Sequence, residues 1–120
     1  MVRGIRGATT VKNNTVDEVL SATEKLLQEM IESNNIEADQ VAQALVSVTE
    51  DIDAAFPAAA LRKIDGWQYV PVMCMTEIPV PNSLQKCIRV MMTVNTTVNQ
   101  REIQHIYQEE AVVLRPDLRS

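Results

Sequence analysis

The chain is poor in aromatics, glycine, cysteine and histidine, and it carries no long apolar run. Aromatics make up 3% of its residues, as Phe56, Trp67, Tyr69 and Tyr107. That is too few for the stacking platforms that hold single-stranded bases, so the core must be built from Val, Ile, Leu, Met and Ala. No apolar stretch approaches the length of a membrane helix, and the opening Met1–Arg6 lacks the apolar region of a signal peptide. Cys74 and Cys87 form neither a disulfide framework nor a CxxC pair. These absences lead us to expect a soluble protein of a reducing, cytoplasmic compartment. The lone histidine, His105, leaves any Ser–His or Cys–His catalyst resting on one residue, and there is no GxGxxG, Walker A, HExxH or GxSxG. Chemistry with little acid–base work is expected.

What is present is an acidic single domain. The 120 residues are 46% hydrophobic and carry a net charge of -5, with a pI near 4.8. A mean field of that sign repels phosphates, so neither nucleic acid nor an anionic membrane is an expected partner. A chain this short buries a modest fraction of its surface alone, which makes oligomerisation an expectation from the outset.

The pattern alternates strand and helix. Val2–Val11 reads as a strand whose Gly4 and Gly7 suggest a bulge or a close backbone approach. Thr15-Val16-Asp17-Glu18 is a capping box that opens a helix to about Ser33. Its buried stripe is Val16, Val19, Leu20, Thr23, Leu26, Leu27, Met30 and Ile31. Asn34-Asn35 supplies a left-handed C-terminal residue. Val41–Thr49 reads as a central strand, Pro57–Ile64 as a short helix, and Trp67–Met75 as a strand that Pro71 assigns to an edge or bulge. Cys87–Thr96 is a fourth strand, Asn99–Tyr107 a third helix, and Ala111–Leu114 a final strand. The expected order is β-α-β-α-β-β-α-β, an α/β chain of the α+β kind with helices packed on a mixed sheet.

Several residues are candidates for chemistry. Alternation along the fourth strand puts Ile88, Val90, Met92 and Val94 on one face, and Cys87, Arg89, Met91, Thr93 and Asn95 on the other. A guanidinium in mid-strand is costly unless it meets an anion. Arg6 repeats the situation in phase with Val2, Gly4 and Ala8. Both either face solvent or fold carboxylates, or present planar forks to a carboxylated ligand. Glu77 follows the third strand, and parity puts it opposite Cys74. Tyr107 reads as a rim residue with a wet hydroxyl. His105 is assigned no role, and the cysteines read as buried thiols. Asp51 and Asp53 read as a turn capping the next helix rather than a cation site.

These residues fall in segments that resemble the AroH-type chorismate mutases: Arg3–Val11, Phe56-Pro57-Ala58, Gly66–Val72, Cys87–Val94 and Val112–Leu118, in the same order across nearly the whole chain. Ala59 and Met73 stand where relatives can carry Lys and Thr. The resemblance implies a single domain over residues 1–120, ferredoxin-like or barrel-like in a homotrimer, with active sites in clefts between subunits. It implies an isomerase that converts chorismate to prephenate in Phe and Tyr biosynthesis, with no cofactor and no metal. It assigns Arg89 to the ether oxygen and, with Arg6 and Tyr107, to the enolpyruvyl carboxylate. Glu77 takes the ring hydroxyl with Cys74 beside it, Phe56 and Ala58 form the apolar wall, and Arg62, Leu114 and Arg115 lie at the mouth. The rival readings are a non-catalytic trimeric sensor of a small anionic metabolite and an enamine or imine hydrolase on a trimeric barrel.

Overall fold

A computed structural model describes residues 1–118. Five strands form one mixed sheet: β1 (Val2–Thr10), β2 (Val41–Val48), β3 (Val72–Thr76), β4 (Cys87–Asn95) and β5 (Ile106–Tyr107), in the order β3-β2-β4-β1-β5. β4 is antiparallel to both β1 and β2, while β3 and β5 run parallel to β2 and β1 at the two edges. β1 and β2 are therefore parallel to each other, and their crossover helix α1 (Val16–Asn34) spans the gap that β4 fills. The second helix, α2, is the single short turn Ala58–Arg62.

The N-terminus of α1 forms as the capping box suggests, with one change of partner. Thr15 Oγ1 accepts from the Glu18 amide at 3.2 Å, but Glu18 Oε1 reaches past the cap to the Asn13 amide. Asn35 closes the helix at φ 50°, ψ 52°, the left-handed region that Asn tolerates. Val19, Thr23, Leu26, Leu27 and Met30 are buried, with Thr23 Oγ1 donating to the Val19 carbonyl. Val16 is exposed rather than part of the stripe.

One face of the sheet receives this stripe. Ile5, Ala44, Val46, Ile88, Val90, Met92 and Val94 are buried in a single cluster with it. Gly7 serves the close approach, not a bulge: β1 pairs with β4 without interruption from Val2 to Thr10. A Cβ at Gly7 would fall on Met30 Sδ and lie 3.1 Å from Leu26 Cδ1, so the helix can seat only over bare backbone. The bulge occurs instead on β2, between Val41 and Gln43.

The structure corrects the reading of four segments. Trp67 is not in a strand. It is 3% exposed in the turn that precedes Pro71, and β3 begins only at Val72. β3 does lie at an edge, as Pro71 suggested. β2 is interior, but the middle position belongs to β4. Asn99–Tyr107 is not a helix: one 3-10 turn, Gln100–Glu102, is followed by the extended β5. The open edge of β1 decides this, because its amides and carbonyls take partners from the incoming segment. A nine-residue helix in isolation has no comparable stabilisation. Ala111–Leu114 is likewise not a strand but lies in or after the 3-10 turn Glu109–Val113. Glu109 at φ 52° turns the chain off the sheet, and Thr10 Oγ1 accepts the Glu110 amide. Asp51 does not cap a helix; both its oxygens accept from the Lys86 amide, which ties the end of β2 to the start of β4.

Candidate active site

The other face of the sheet carries the functional candidates in two rows. Register aligns Met75, Ser47, Arg89, Ala8 and Tyr107 across all five strands. Two residues further along lie Met73, Leu45, Met91 and Arg6. Directly opposed residues in a sheet share a face, so strand pairing alone brings Arg6, Arg89 and Tyr107 together from three different strands. A hollow of about 520 Å³ lies over these rows, lined by Arg6, Glu77, Arg89, Tyr107, Leu114 and Arg115 among others. That volume falls in the range of small-molecule sites.

Glu77 enters the hollow because its amide extends the β2–β3 pairing by one bond, donating to the Val48 carbonyl at 2.8 Å. Its Oε2 accepts from Ser47 Oγ at 3.0 Å and lies 3.5 Å from Arg89 Nε. The carboxylate thus orients the guanidinium from the side. The pair is partly exposed (side chains 44% and 29%), so its worth is in placement rather than stability. Tyr107 does not end a helix with a wet hydroxyl. It sits on β5 beside Ala8, and its buried Oη has no hydrogen-bond partner among the described residues. An unpaired buried hydroxyl in a hollow is an open position for a ligand atom.

Arg115 makes a two-point contact with Asp117, at 3.2 Å and 3.0 Å. The hydrogen bond from that guanidinium holds the Asp117 carboxyl below its ordinary range. Among the described residues no carboxylate pairs with Arg6 within 4.0 Å. Arg89 and Arg115 are therefore each held by a carboxylate, while Arg6 has none within 4.0 Å among the described residues.

The remaining candidates lie elsewhere in the chain. Cys74 pairs with Val46, on the face opposite Ser47 and Glu77's partner Arg89. It lines a separate hollow of about 390 Å³ with Phe56 and Val48. The two hollows share only Met75 and Thr76. Phe56 is 75% exposed, Ala58 is buried, and Arg62 is exposed at the end of α2. Within one chain these residues do not meet the arginines. Cys87 is buried as expected, and burial pushes its thiol up from the ordinary value, while Cys74 is half-buried.

Two further residues act on this site, Ser47 and His105. Ser47 shares parity with Leu45 on β2, a signal available once Ala44 and Val46 are assigned to the core face of that strand. A helical reading of the segment gives His105 no role. In the extended segment its Nδ1 accepts from the Arg6 amide at 3.0 Å.

Fold and site together define a small α+β domain that offers an open, cationic sheet-face pocket to an anionic small molecule. The model of the family "Chorismate mutase type I" matches residues 2–118. The chain is 56% identical over 118 residues to "Chorismate mutase AroH" of Bacillus subtilis, covering 98% of this chain and 93% of that protein. It is 47% identical to the protein of the same name from Thermus thermophilus, covering 100% and 98%. A solved chorismate mutase from Clostridium thermocellum superposes with a TM-score of 0.90 at 53% identity, covering 92% of this chain and 98% of that one. The chain belongs to the type I chorismate mutases.

Proposed function

We propose that the chain is an isomerase that converts chorismate to prephenate, on the route to Phe and Tyr, and that it does so as a cytoplasmic homotrimer whose sites are completed by a neighbouring subunit. The observation that carries the reading is the alignment of Arg89, held by Glu77, with the unpaired Tyr107 hydroxyl and with Arg6 one row away.

The reaction is a concerted [3,3] shift in which a C–O bond breaks as a C–C bond forms. It needs no nucleophile and no proton transfer. The protein acts by holding the enolpyruvyl arm over the ring, which removes orientational entropy from the barrier. It also stabilises the charge that grows on the ether oxygen. Arg89 donates to that oxygen; a preorganised donor of this kind contributes about 10²–10³ in rate. Arg6 and Tyr107 Oη hold the enolpyruvyl carboxylate. Glu77 accepts the ring hydroxyl and favours positive character in the ring, while Leu114 and Arg115 close the mouth.

Phe56, Ala58, Arg62 and Cys74 belong to the same site in this reading, supplied by the adjoining subunit. Support comes from the open face itself. Met73 is 63% exposed there, and Met75, Met91 and Ile78 are exposed as well; Phe56, at 75%, is exposed in the neighbouring hollow, which shares Met75. Apolar patches of this kind mark surfaces that associate. The edge of β3 adds unpaired backbone at the same place. No helix among the described residues is long and apolar enough to cross a membrane.

The test is direct. Chorismate added to the purified protein should lose its ultraviolet absorbance and yield prephenate with no added cofactor. Saturable binding of chorismate without turnover would overturn the enzymatic reading in favour of a sensor.

A further inference from the structure

We propose that His105 is a positioning residue for this site: its neutral imidazole, accepting the Arg6 amide, locks the segment that carries Tyr107 to the strand that carries Arg6, and its protonation releases both. The inference rests on the proposed role of Arg6 and Tyr107 in holding the substrate carboxylate.

The geometry is specific. β5 pairs with β1 through Gly7–Ile106 and Ala8–Tyr107, and the Gln108 amide donates to the Ala8 carbonyl at 2.9 Å. This two-residue strand is short, so its ends need other anchors. On the N-terminal side the anchors are side chains. Asn34 at the end of α1 takes both backbone groups of Gln104, its Nδ2 donating to the carbonyl at 2.8 Å and its Oδ1 accepting the amide at 2.9 Å. His105 then supplies the next rung, because Nδ1 accepts from Arg6 N–H at 3.0 Å. An imidazole can accept at Nδ1 only when that nitrogen carries no proton, which fixes the neutral tautomer with its hydrogen on Nε2.

Protonation reverses the interaction. Two N–H groups would then face each other, and the Arg6 amide would lose its partner in a half-buried position. The charged groups that act on the ring are Arg6 from β1 and Arg115 from the C-terminal segment, both positive. The neighbour from α1, Asn34, is neutral. Burial first, and then these two cations, lower the imidazole's proton affinity below the ordinary 6.5. The sign follows: the clamp is intact at neutral pH, and it opens as pH falls below 6.5 and through the lowered value. In that window the unfolded chain binds the proton more readily, so acidification also weakens the fold locally.

Two readouts test this. In ¹⁵N-labelled protein, the His105 Nδ1 resonance should report an unprotonated acceptor at neutral pH. It should titrate together with the Arg6 amide on the acid side of 6.5. In kinetics, wild-type kcat/KM for chorismate should fall through the same window, mainly through KM, by about tenfold for the loss of one such hydrogen bond. His105→Asn places Oδ1 where Nδ1 sits and cannot titrate, so it should keep neutral-pH activity and flatten the acid limb. His105→Leu should show the raised KM at every pH. An acid limb in His105→Asn identical to wild type would overturn the proposal, as would a protonated Nδ1 at neutral pH. If chorismate is not turned over at any pH, the enzymatic reading fails alone, and the two nitrogen titrations still decide the clamp.

Discussion

Strand β4 presents two faces built from alternate residues of one nine-residue segment. Ile88, Val90, Met92 and Val94 are buried against α1. Arg89, Met91 and Asn95, on the opposite side, are exposed, and Thr93 is half-buried. The first face is closed within the chain by a helix that needs Gly7 bare to seat. Among the described residues no helix covers the second, and that side of the sheet holds a partly solvated ion pair, a tyrosine hydroxyl without a partner and three exposed methionines, Met73, Met75 and Met91. One face is the solution to a packing problem. The other is left incomplete by the chain, and a surface kept in that state is where ligand and partner surfaces can enter. The division teaches that the packed core and the candidate site occupy opposite sides of the same strands.

Substitutions on the two faces should therefore fail in different ways. The largest effect on folding is expected from Leu27→Ala, on the closed face, where the side chain is fully buried. It should lower stability by about 2–5 kcal/mol, read by urea unfolding at fixed protein concentration, since assembly contributes to the apparent value. A change below experimental error would break the assignment of that face as the core. Arg89→Ala, on the open face, should lower kcat by about 10²–10³ while unfolding stays near wild type, because an exposed ion pair contributes only about 0–1 kcal/mol. Near-normal turnover in that variant would remove Arg89 from the chemistry.

The two glycines of β1 sharpen the comparison further. Gly7→Ala should cost about 1–3 kcal/mol by overpacking, since the new methyl falls on Met30. Gly4→Ala meets only the flexible Met91 Sδ, at 3.3 Å on the open face, and should be close to neutral in the same unfolding measurement. Equal costs at the two positions would mean that the open face is packed as tightly as the closed one. A separate signal comes from subunit mixing. Arg89→Ala and Phe56→Ala subunits, each inactive alone, should regain about a quarter of the sites when randomly reassembled into closed symmetric oligomers. No recovery after verified exchange would count against sites shared between subunits.

The apolar stripe of α1, its Thr15 cap and its Asn35 terminus were all legible, because a helix of 19 residues repeats its signal over several turns. The two faces of β4 were legible for the same reason, at period two. The segment after Val98 was not. Ile103, Ile106 and Tyr107 recur at spacings that suit a helix, and nothing local says that the bare edge of β1 will claim them. Trp67 is a similar case: a large apolar residue near a strand reads as part of it, whereas the turn before Pro71 buries it. Of the residues that line the open hollow, Arg6, Glu77, Arg89 and Tyr107 are candidates from the sequence, the last on a helix rather than on β5. Ser47 and His105 carry little signal of their own, because each acts through a residue far away in sequence.

By itself, then, the sequence determined the periodic elements, the charged interruptions on β1 and β4, and the family to which they belong, since these are properties of neighbouring residues and their order. Only the tertiary structure decided which residues stand opposite one another. Register across five strands put Arg89, Ala8 and Tyr107 in one line, sent Cys74 to the far side of the sheet from Ser47, and gave the lone histidine an amide to hold. The physical reason is that a strand fixes only its own alternation, while its hydrogen bonds to other strands fix everything it can touch.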